Sequence, residues 1–290
     1  MQTVSFNLTS PITLTREHLS QLTPRPADGH KGIFGRVAVI GGSVGMSGAA
    51  YFSAKAAYRA GAGIVEIFSP EENRVIYQTA LPEAVLTLYK PSDPDLRFLI
   101  KLLGRADSVA LGMGLSTGKL CHDLLHATLT YLEKPLVLDA DALTVLAHSD
   151  EHLRLLRERR FPTVLTPHVG EAARLLHSTP AEIKKDPVAA AAALSQSTKS
   201  VIALKDAETV ITDGATVYRN PFGNNGMATG GSGDVLAGII AAFAARNEPL
   251  QAAALGVLAH ALAGDAAAAR CGMHGTMASD IIDGLQQILP

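Results

Sequence analysis

Asn224-Asn225-Gly226-Met227-Ala228-Thr229-Gly230-Gly231-Ser232-Gly233-Asp234 runs straight into Val235-Leu236-Ala237-Gly238-Ile239-Ile240-Ala241-Ala242-Phe243-Ala244-Ala245. The first half reads as a glycine-rich loop that ends in a carboxylate. The second half reads as a helix, with apolar residues at 235, 236, 239, 240 and 243 forming one buried stripe. A loop of this kind aims backbone N–H groups and the positive end of a helix at one point, where an anion would sit. Gly231, Ser232 and Gly233 are the expected donors. A carboxylate such as Asp234 is favoured in a first helical turn, yet it would repel a bound phosphate. It therefore reads as a proton acceptor or a metal-orienting group at the rim of an anion hole. Packing alone explains poorly four glycines in eleven positions.

Upstream, short apolar runs alternate with helical segments. Strands are expected at Arg36–Ile40, Ile64–Phe68, Ala84–Leu88, Ser108–Leu111, Leu136–Leu138, Thr163–Leu165 and Val201–Leu204. Helices are expected at Ala49–Ala60, Asp95–Leu103, Gly118–Leu132, Ala142–Leu146, Val169–Leu176 and Val188–Ser197. Strands that are apolar throughout and separated by helices indicate a mainly parallel sheet covered on both faces, an α/β three-layer α/β/α sandwich. After Lys205 the rhythm changes. Glu208–Thr212 and Thr216–Arg219, joined through Asp213-Gly214, predict an antiparallel hairpin at one edge of the sheet. Two helices are expected after the glycine loop, and a last one over Ala278–Ile288. Residues 1–30, polar and with Pro11, Pro24 and Pro26, read as an N-terminal arm on a single domain of residues 1–290.

Composition narrows the classes of function. The 290 residues are 47% hydrophobic and 18% charged, with a net charge of −2 and no basic stripe. That pattern fits a compact globule and argues against a nucleic-acid partner. Cys121 and Cys271 form no CxxC pair and read as reduced thiols of a cytoplasmic protein. No charged and apolar leader is evident at the N-terminus. The alanine-rich stretch Leu250–Ala269 comes nearest to a membrane span, but His260, Asp265 and Arg270 mark it as a packed helix.

Several expected strand ends carry candidate ligands, and in a parallel sheet those ends line the binding crevice. Gly41-Gly42-Ser43-Val44-Gly45-Met46-Ser47-Gly48 permits close backbone approach to a ligand. Its spacing fits neither the P-loop nor the dinucleotide fingerprint, and a tight strand-to-helix turn explains it equally well. Gly112-Met113-Gly114 follows a further strand. Asp139 and Asp141 can reach one cavity, and Asp139 could hold Mg²⁺ through water, or Asp141 could simply cap the next helix. Thr166-Pro167-His168-Val169-Gly170-Glu171 turns His168 toward the crevice, with Glu171 a further acid or a first-turn carboxylate. Lys205-Asp206-Ala207-Glu208-Thr209 offers a cation for phosphate, or a solvated turn.

The glycine loop resembles the signature of the nucleotide-dependent NAD(P)H-hydrate dehydratases, within the ribokinase-like superfamily. Further matches spread over nearly the whole chain: His30-Lys31-Gly32 with Phe34-Gly35-Arg36, Gly41-Gly42-Ser43, Ser47-Gly48-Ala49, Arg59-Ala60-Gly61-Ala62-Gly63, Gly112-x-Gly114, Leu138 to Leu143, Thr166 to Glu171, Lys205 and Ala278-Ser279-Asp280. The resemblance implies dehydration of the S epimer of the hydrated cofactors NADHX and NADPHX, with ADP or ATP as cosubstrate and Mg²⁺. It implies that Ala49, Gly114, His168 and Asp234 meet the hydrated cofactor. It implies that Lys205, Asp206, Ala207, Glu208, Thr209 and Gly233 meet the adenine nucleotide, and that the protein is a homo-oligomer, a tetramer. Two residues depart from the family pattern: Asp206 stands where glycine is usual, and Asn225 where proline is usual. Many relatives carry an epimerase domain ahead of this one, and 30 polar residues are too few to encode it, so no epimerase activity is expected. Two other functions use the same loop. A ribokinase-like kinase for a vitamin-precursor alcohol would release a stable phosphate ester. A non-catalytic nucleotide sensor would have no use for a carboxylate beside phosphate.

Overall fold

The computed structural model describes residues 8–289. Among the described residues there are ten strands: β1 (Ile12–Thr13), β2 (Arg36–Ile40), β3 (Ile64–Pro70), β4 (Val85–Tyr89), β5 (Ser108–Leu111), β6 (Leu136–Leu138), β7 (Thr163–Leu165), β8 (Val201–Leu204), β9 (Thr209–Thr212) and β10 (Val217–Asn220). They form one sheet in the order β1-β10-β9-β8-β7-β6-β5-β2-β3-β4. All pairs are parallel except β8–β9 and β9–β10. The helices are α1 (Ser47–Arg59), α2 (Arg74–Ala80), α3 (Leu96–Leu103), α4 (Lys119–Tyr131), α5 (Asp141–Ala147), α6 (Asp150–Glu158), α7 (Val169–Leu175), α8 (Pro180–Lys185), α9 (Pro187–Thr198), α10 (Ser232–Ala244), α11 (Pro249–Cys271) and α12 (Ala278–Ile288).

The continuous apolar strands are explained by burial on both faces. Along β2, Val37 and Val39 pack into one core with α1, α10, α11 and α12, while Ala38 and Ile40 pack into a second with α3, α4 and α5. This is the expected three-layer sandwich with a mainly parallel sheet. The strands lie where the sequence put them, to within two residues at any end. Three short helices, α2, α6 and α8, were not anticipated; each has nine residues or fewer and too few turns to show a period of 3.6. The hairpin differs in two respects. Its connection is four residues, because Asp213 Oδ1 captures the N–H groups of Ala215 and Thr216 at 3.0 and 2.8 Å and widens the turn. It also does not form the edge of the sheet. The arm supplies β1, which adds parallel to β10 outside it.

The layer of α1, α10, α11 and α12 is packed through small residues. A Cβ on Gly238 would overlap the carbonyl oxygen of Ser53 on α1, and one on Gly284 would overlap that of Ala263 on α11. Helix α11 has a mean hydropathy of 1.5 over an 18-residue window and is long enough to cross a bilayer, but 72% of that window is buried in the fold. Since no rotamer moves a backbone oxygen aside, Gly238→Val should force α10 away from α1. The expected loss is about 3 kcal/mol, the upper end for an overpacked core, read as a lowered midpoint in chemical denaturation.

Candidate functional site

Five neighbouring parallel strands, β8-β7-β6-β5-β2, end in one row. Their carboxyl ends carry Lys205, Pro167-His168, Asp139, Gly112–Gly114 and Gly41-Gly42 in that order. The ladder continues past the strands into this row: Asp139 donates its N–H to Leu111 O at 3.2 Å and Lys205 donates to Pro167 O at 2.8 Å. Glycine is required where the loops meet. The N–H of Gly42 (φ +74°) donates to Met113 O at 2.9 Å, and Gly114 (φ +63°) lies against Ala49, which would be 2.9 Å from an added Cβ. Below the first loop, Ser69 Oγ and Asn73 Nδ2 both donate to Gly42 O, at 2.9 and 2.7 Å. The loop at 41–48 is thus braced from beneath and set against Gly114, and Ala49 and Gly114 are neighbours as expected.

The charged groups converge at the middle of the row. Asp139 is 1% exposed and takes the Lys205 ammonium on Oδ1 at 2.7 Å. Burial opposes that charge on Lys205, but Asp139 and Glu171 outweigh it and hold the ammonium above its ordinary pKa. A Cβ on Gly233 would stand 3.4 Å from both Asp139 Oδ2 and Lys205 Nζ, so glycine here leaves room in front of the pair. Asp139, expected to meet a metal through water, gives one of its two carboxylate oxygens to Lys205. Among the described residues no group of three or more His, Cys, Asp or Glu side chains is arranged to hold a metal ion.

Gly231 (φ +91°) caps α10 with no side-chain hydrogen bond, so the first N–H groups of the helix lack the usual side-chain acceptor. One expected donor is spent: Ser232 N–H reaches Thr229 O at 3.3 Å, the tight turn having folded it back. The N–H groups of Gly231, Gly233 and Asp234 take no acceptor among the described residues. Asp234 is half-buried and its carboxylate accepts no hydrogen bond from any described residue. Burial, then the charge of Asp139, raises its pKa to about 7 against the pull of Lys205.

His168 is placed by its own main chain. As the N-cap of α7 it accepts the N–H groups of Gly170 and Glu171 on Nδ1, at 2.9 and 3.3 Å, while Glu171 Oε2 accepts the His168 N–H at 2.8 Å. Burial, then the charges of Lys205 and Arg174, holds the ring below its ordinary pKa. With Nδ1 occupied as an acceptor, the neutral ring carries its proton on Nε2, which stands 3.5 Å from Glu171 Oε1. Glu171 is buried and, by that burial, pushed above the usual carboxylate range. Asp141 serves the loops: its Oδ2 accepts the Ser116 N–H at 2.8 Å, tying the 112–116 loop to the start of α5.

A cavity of about 900 Å³ opens beside this row, between the β8–β9 junction, the glycine loop and α11. Its walls include His168, Lys205, Asp206, Ala207, Thr209, Ser232 and Gly233. Glu208 is outside it, exposed on the hairpin and 3.6 Å from Arg219. Ala49, Gly114, Asp139 and Asp234 do not line it. Asp206 stands at the mouth, 3.9 Å from Lys184. Sequence reasoning missed Asn220, Phe222, Met227 and His260 in the walls. The signal for His260 was available: an ionisable residue in an alanine-rich helix that is buried all round.

A family profile described as NAD(P)H-hydrate dehydratase matches residues 37–287. The chain is 44% identical over 280 residues to the bifunctional NAD(P)H-hydrate repair enzyme Nnr of Moorella thermoacetica, covering 93% of this chain and 52% of that one. It thus spans about half the length of that curated relative. It is 39% identical over 253 residues to the ADP-dependent (S)-NAD(P)H-hydrate dehydratase of Neisseria meningitidis, covering 83% of this chain and 80% of that one. The structure of the ADP/ATP-dependent NAD(P)H-hydrate dehydratase of Bacillus subtilis, co-crystallised with ATP/Mg²⁺, superposes with a TM-score of 0.82 at 27% identity, over 96% of this chain and 97% of that one. The architecture is ribokinase-like.

Proposed function

The chain belongs to the NAD(P)H-hydrate dehydratase family, and we propose that it restores NADH and NADPH from the S epimers of NADHX and NADPHX, converting ADP to AMP and phosphate, or using ATP in place of ADP. The observation that carries this reading is Asp234. It is a carboxylate with no hydrogen bond from the described protein and a pKa raised to about 7, in the same turn as the unpaired N–H groups of Gly231, Gly233 and Asp234 itself. The nucleotide occupies the 900 Å³ cavity beside Lys205, Asp206, Ala207, Thr209 and Gly233. The hydrated ring lies against Ala49, Gly114 and Asp234, with His168 at the border it shares with the nucleotide cavity.

The C6 hydroxyl of the hydrated ring is a poor leaving group. Asp234 accepts its proton as the oxygen attacks the terminal phosphoryl group of the nucleotide, and AMP leaves when ADP is the donor. The N–H groups of Gly231, Gly233 and Asp234 stabilise the charge on the transferring group, where one such donor is worth about 3 kcal/mol. The ring nitrogen lone pair then expels phosphate from C6, and loss of the C5 proton restores the dihydronicotinamide. Lys205, held by Asp139, offers a fixed positive charge to the phosphates. A magnesium ion fits a site with few protein ligands, because it commonly takes one or two carboxylates with nucleotide phosphates and water. Asp139, whose Oδ2 is not used by Lys205, is the carboxylate that would hold it through water, and the ion would neutralise phosphate charge.

The test is incubation with NADHX, ADP or ATP and Mg²⁺, following absorbance of the reduced nicotinamide. A kinase for a precursor alcohol would give no such signal and would accumulate a phosphate ester. Because the base must be ionised, kcat/KM should fall about tenfold per pH unit below pH 7, following the raised pKa of Asp234 in the free enzyme. A flat profile from pH 5 to 7, about the range in which an unperturbed Asp is already ionised, would remove Asp234 from the base role.

A further inference from the structure

His260 stands at the middle of α11, a helix otherwise built from alanine, leucine, valine and glycine at its buried positions. It is 9% exposed, lines the nucleotide-side cavity, and brings Nε2 to 3.3 Å from Ser232 Oγ. Burial pushes its pKa down to about 4, so the ring is uncharged at neutral pH. It is therefore a hydrogen-bond partner and not a counter-charge for phosphate. Its partner is the one residue of Gly230-Gly231-Ser232-Gly233 with a side chain to grip. Glycines are free to rotate about the backbone, so this turn needs an external anchor to aim its N–H groups. Ser232 supplies it, with its N–H on Thr229 O and its hydroxyl on His260. The entry to the loop is held by the same helix: Asp265 accepts the Gly223 N–H at 3.1 Å and Asn224 Nδ2 at 2.8 Å.

We propose that His260 is a positioning residue for phosphoryl transfer: by holding Ser232 Oγ it sets the glycine turn so that the N–H groups of Gly231, Gly233 and Asp234 converge on the phosphoryl group that ADP donates. This rests on the reading of the cleft as the place where ADP is used. A preorganised donor set acts most strongly on charge that develops in the transition state. It also favours ADP over AMP in the ground state, since AMP lacks the group being held.

The experiment compares the full-length wild type with His260→Ala, His260→Gln, Ser232→Ala and the His260→Ala/Ser232→Ala pair. Affinities for ADP and for AMP are measured by calorimetry, and kcat with NADHX. For His260→Ala, kcat should fall about 10²-fold, as when an oxyanion donor is lost. Its ADP affinity should fall about tenfold, as when a charge-assisted hydrogen bond is weakened, and its AMP affinity should change less than about twofold. His260→Gln, which can still bond Ser232, should recover most of the ADP-to-AMP ratio. The double variant should be no worse than His260→Ala alone. Ser232→Ala approaches the contact from the first residue of α10 and serves if α11 tolerates no change. The proposal is overturned by an unchanged ADP-to-AMP ratio in both single variants, by equal losses for the two nucleotides, or by additive losses in the pair. The affinity ratio needs no hydrated cofactor. A wild type that binds ADP but does not act on NADHX would overturn the proposed function and still leave the ratio to decide the role of His260.

Discussion

Asp234→Asn should lower turnover of NADHX by 10²- to 10⁴-fold, the range about a positioned general base supplies, while ADP continues to bind. The substitution keeps shape and size and removes only the charge and the proton-accepting lone pair. Nothing in the described protein relies on that lone pair, because no described side chain or N–H donates to it. The fold should therefore be unaffected. Nucleotide affinity should hold or rise, since a carboxylate beside bound phosphate is repulsive and a neutral amide is not. Lys205 would also lose one of the negative charges that support it, a smaller effect, because Asp139 at 2.7 Å and Glu171 contribute more. The acid limb of kcat/KM should disappear with the carboxyl group. Turnover within about fivefold of wild type would mean that another group takes the C6 hydroxyl proton.

The gathering of these residues in one row is legible in the sequence because they follow neighbouring parallel strands and each strand end carries its own punctuation. Pro167 after β7, Gly112 after β5 and the Asp139-Ala140-Asp141 run after β6 all interrupt an apolar run at the place where the row of groups forms. The glycine loop before α10 stood out for the same reason: one short segment holds both unpaired N–H groups and a half-buried carboxylate. What could not be read were contacts set by distant segments. Nothing near Lys205 in sequence announces that its ammonium closes on Asp139, 66 residues earlier. Nothing near Ser232 indicates that its own N–H would be turned back on Thr229, or that its hydroxyl would meet a histidine 28 residues on. The sheet edge was misread because β1 has only two residues and no alternation to detect. Hydrophobic periodicity reports burial of a face; it does not report which polar atom a buried polar atom will find.

Glu66 is the sharpest case of that blindness, and it yields the second large effect. It sits inside β3, in Ile64-Val65-Glu66-Ile67-Phe68, where the pattern predicts an apolar strand, and its side chain is fully buried. Three side chains surround it: Arg36 at 3.1 Å, Arg105 through two donors, and Thr87 Oγ1 at 2.5 Å. Burial alone would raise its pKa, but the Arg105 and Thr87 hydrogen bonds and the two guanidinium charges outweigh it, leaving the carboxyl below its ordinary range. Glu66→Ala should cost about 3 kcal/mol, the low end for breaking a buried ion pair, because Arg36 and Arg105 keep 28% and 36% of their side chains in water and can be partly resolvated. That is a large share of a typical stability of about 5 to 15 kcal/mol. The sign of the pH dependence follows from the lowered pKa. The stabilisation is complete above the unfolded-state value and is lost as pH falls through the folded one. The gap in unfolding free energy between wild type and Glu66→Gln should therefore be largest at neutral pH and narrow below about pH 4. Glu66 pairs in register with Ala38 and Val85, toward the amino ends of the strands and away from the row that holds Asp234. At a temperature where the variant is folded, kcat should match wild type. A fall in kcat without a fall in denaturation midpoint would show that this cluster serves the site and not the sheet.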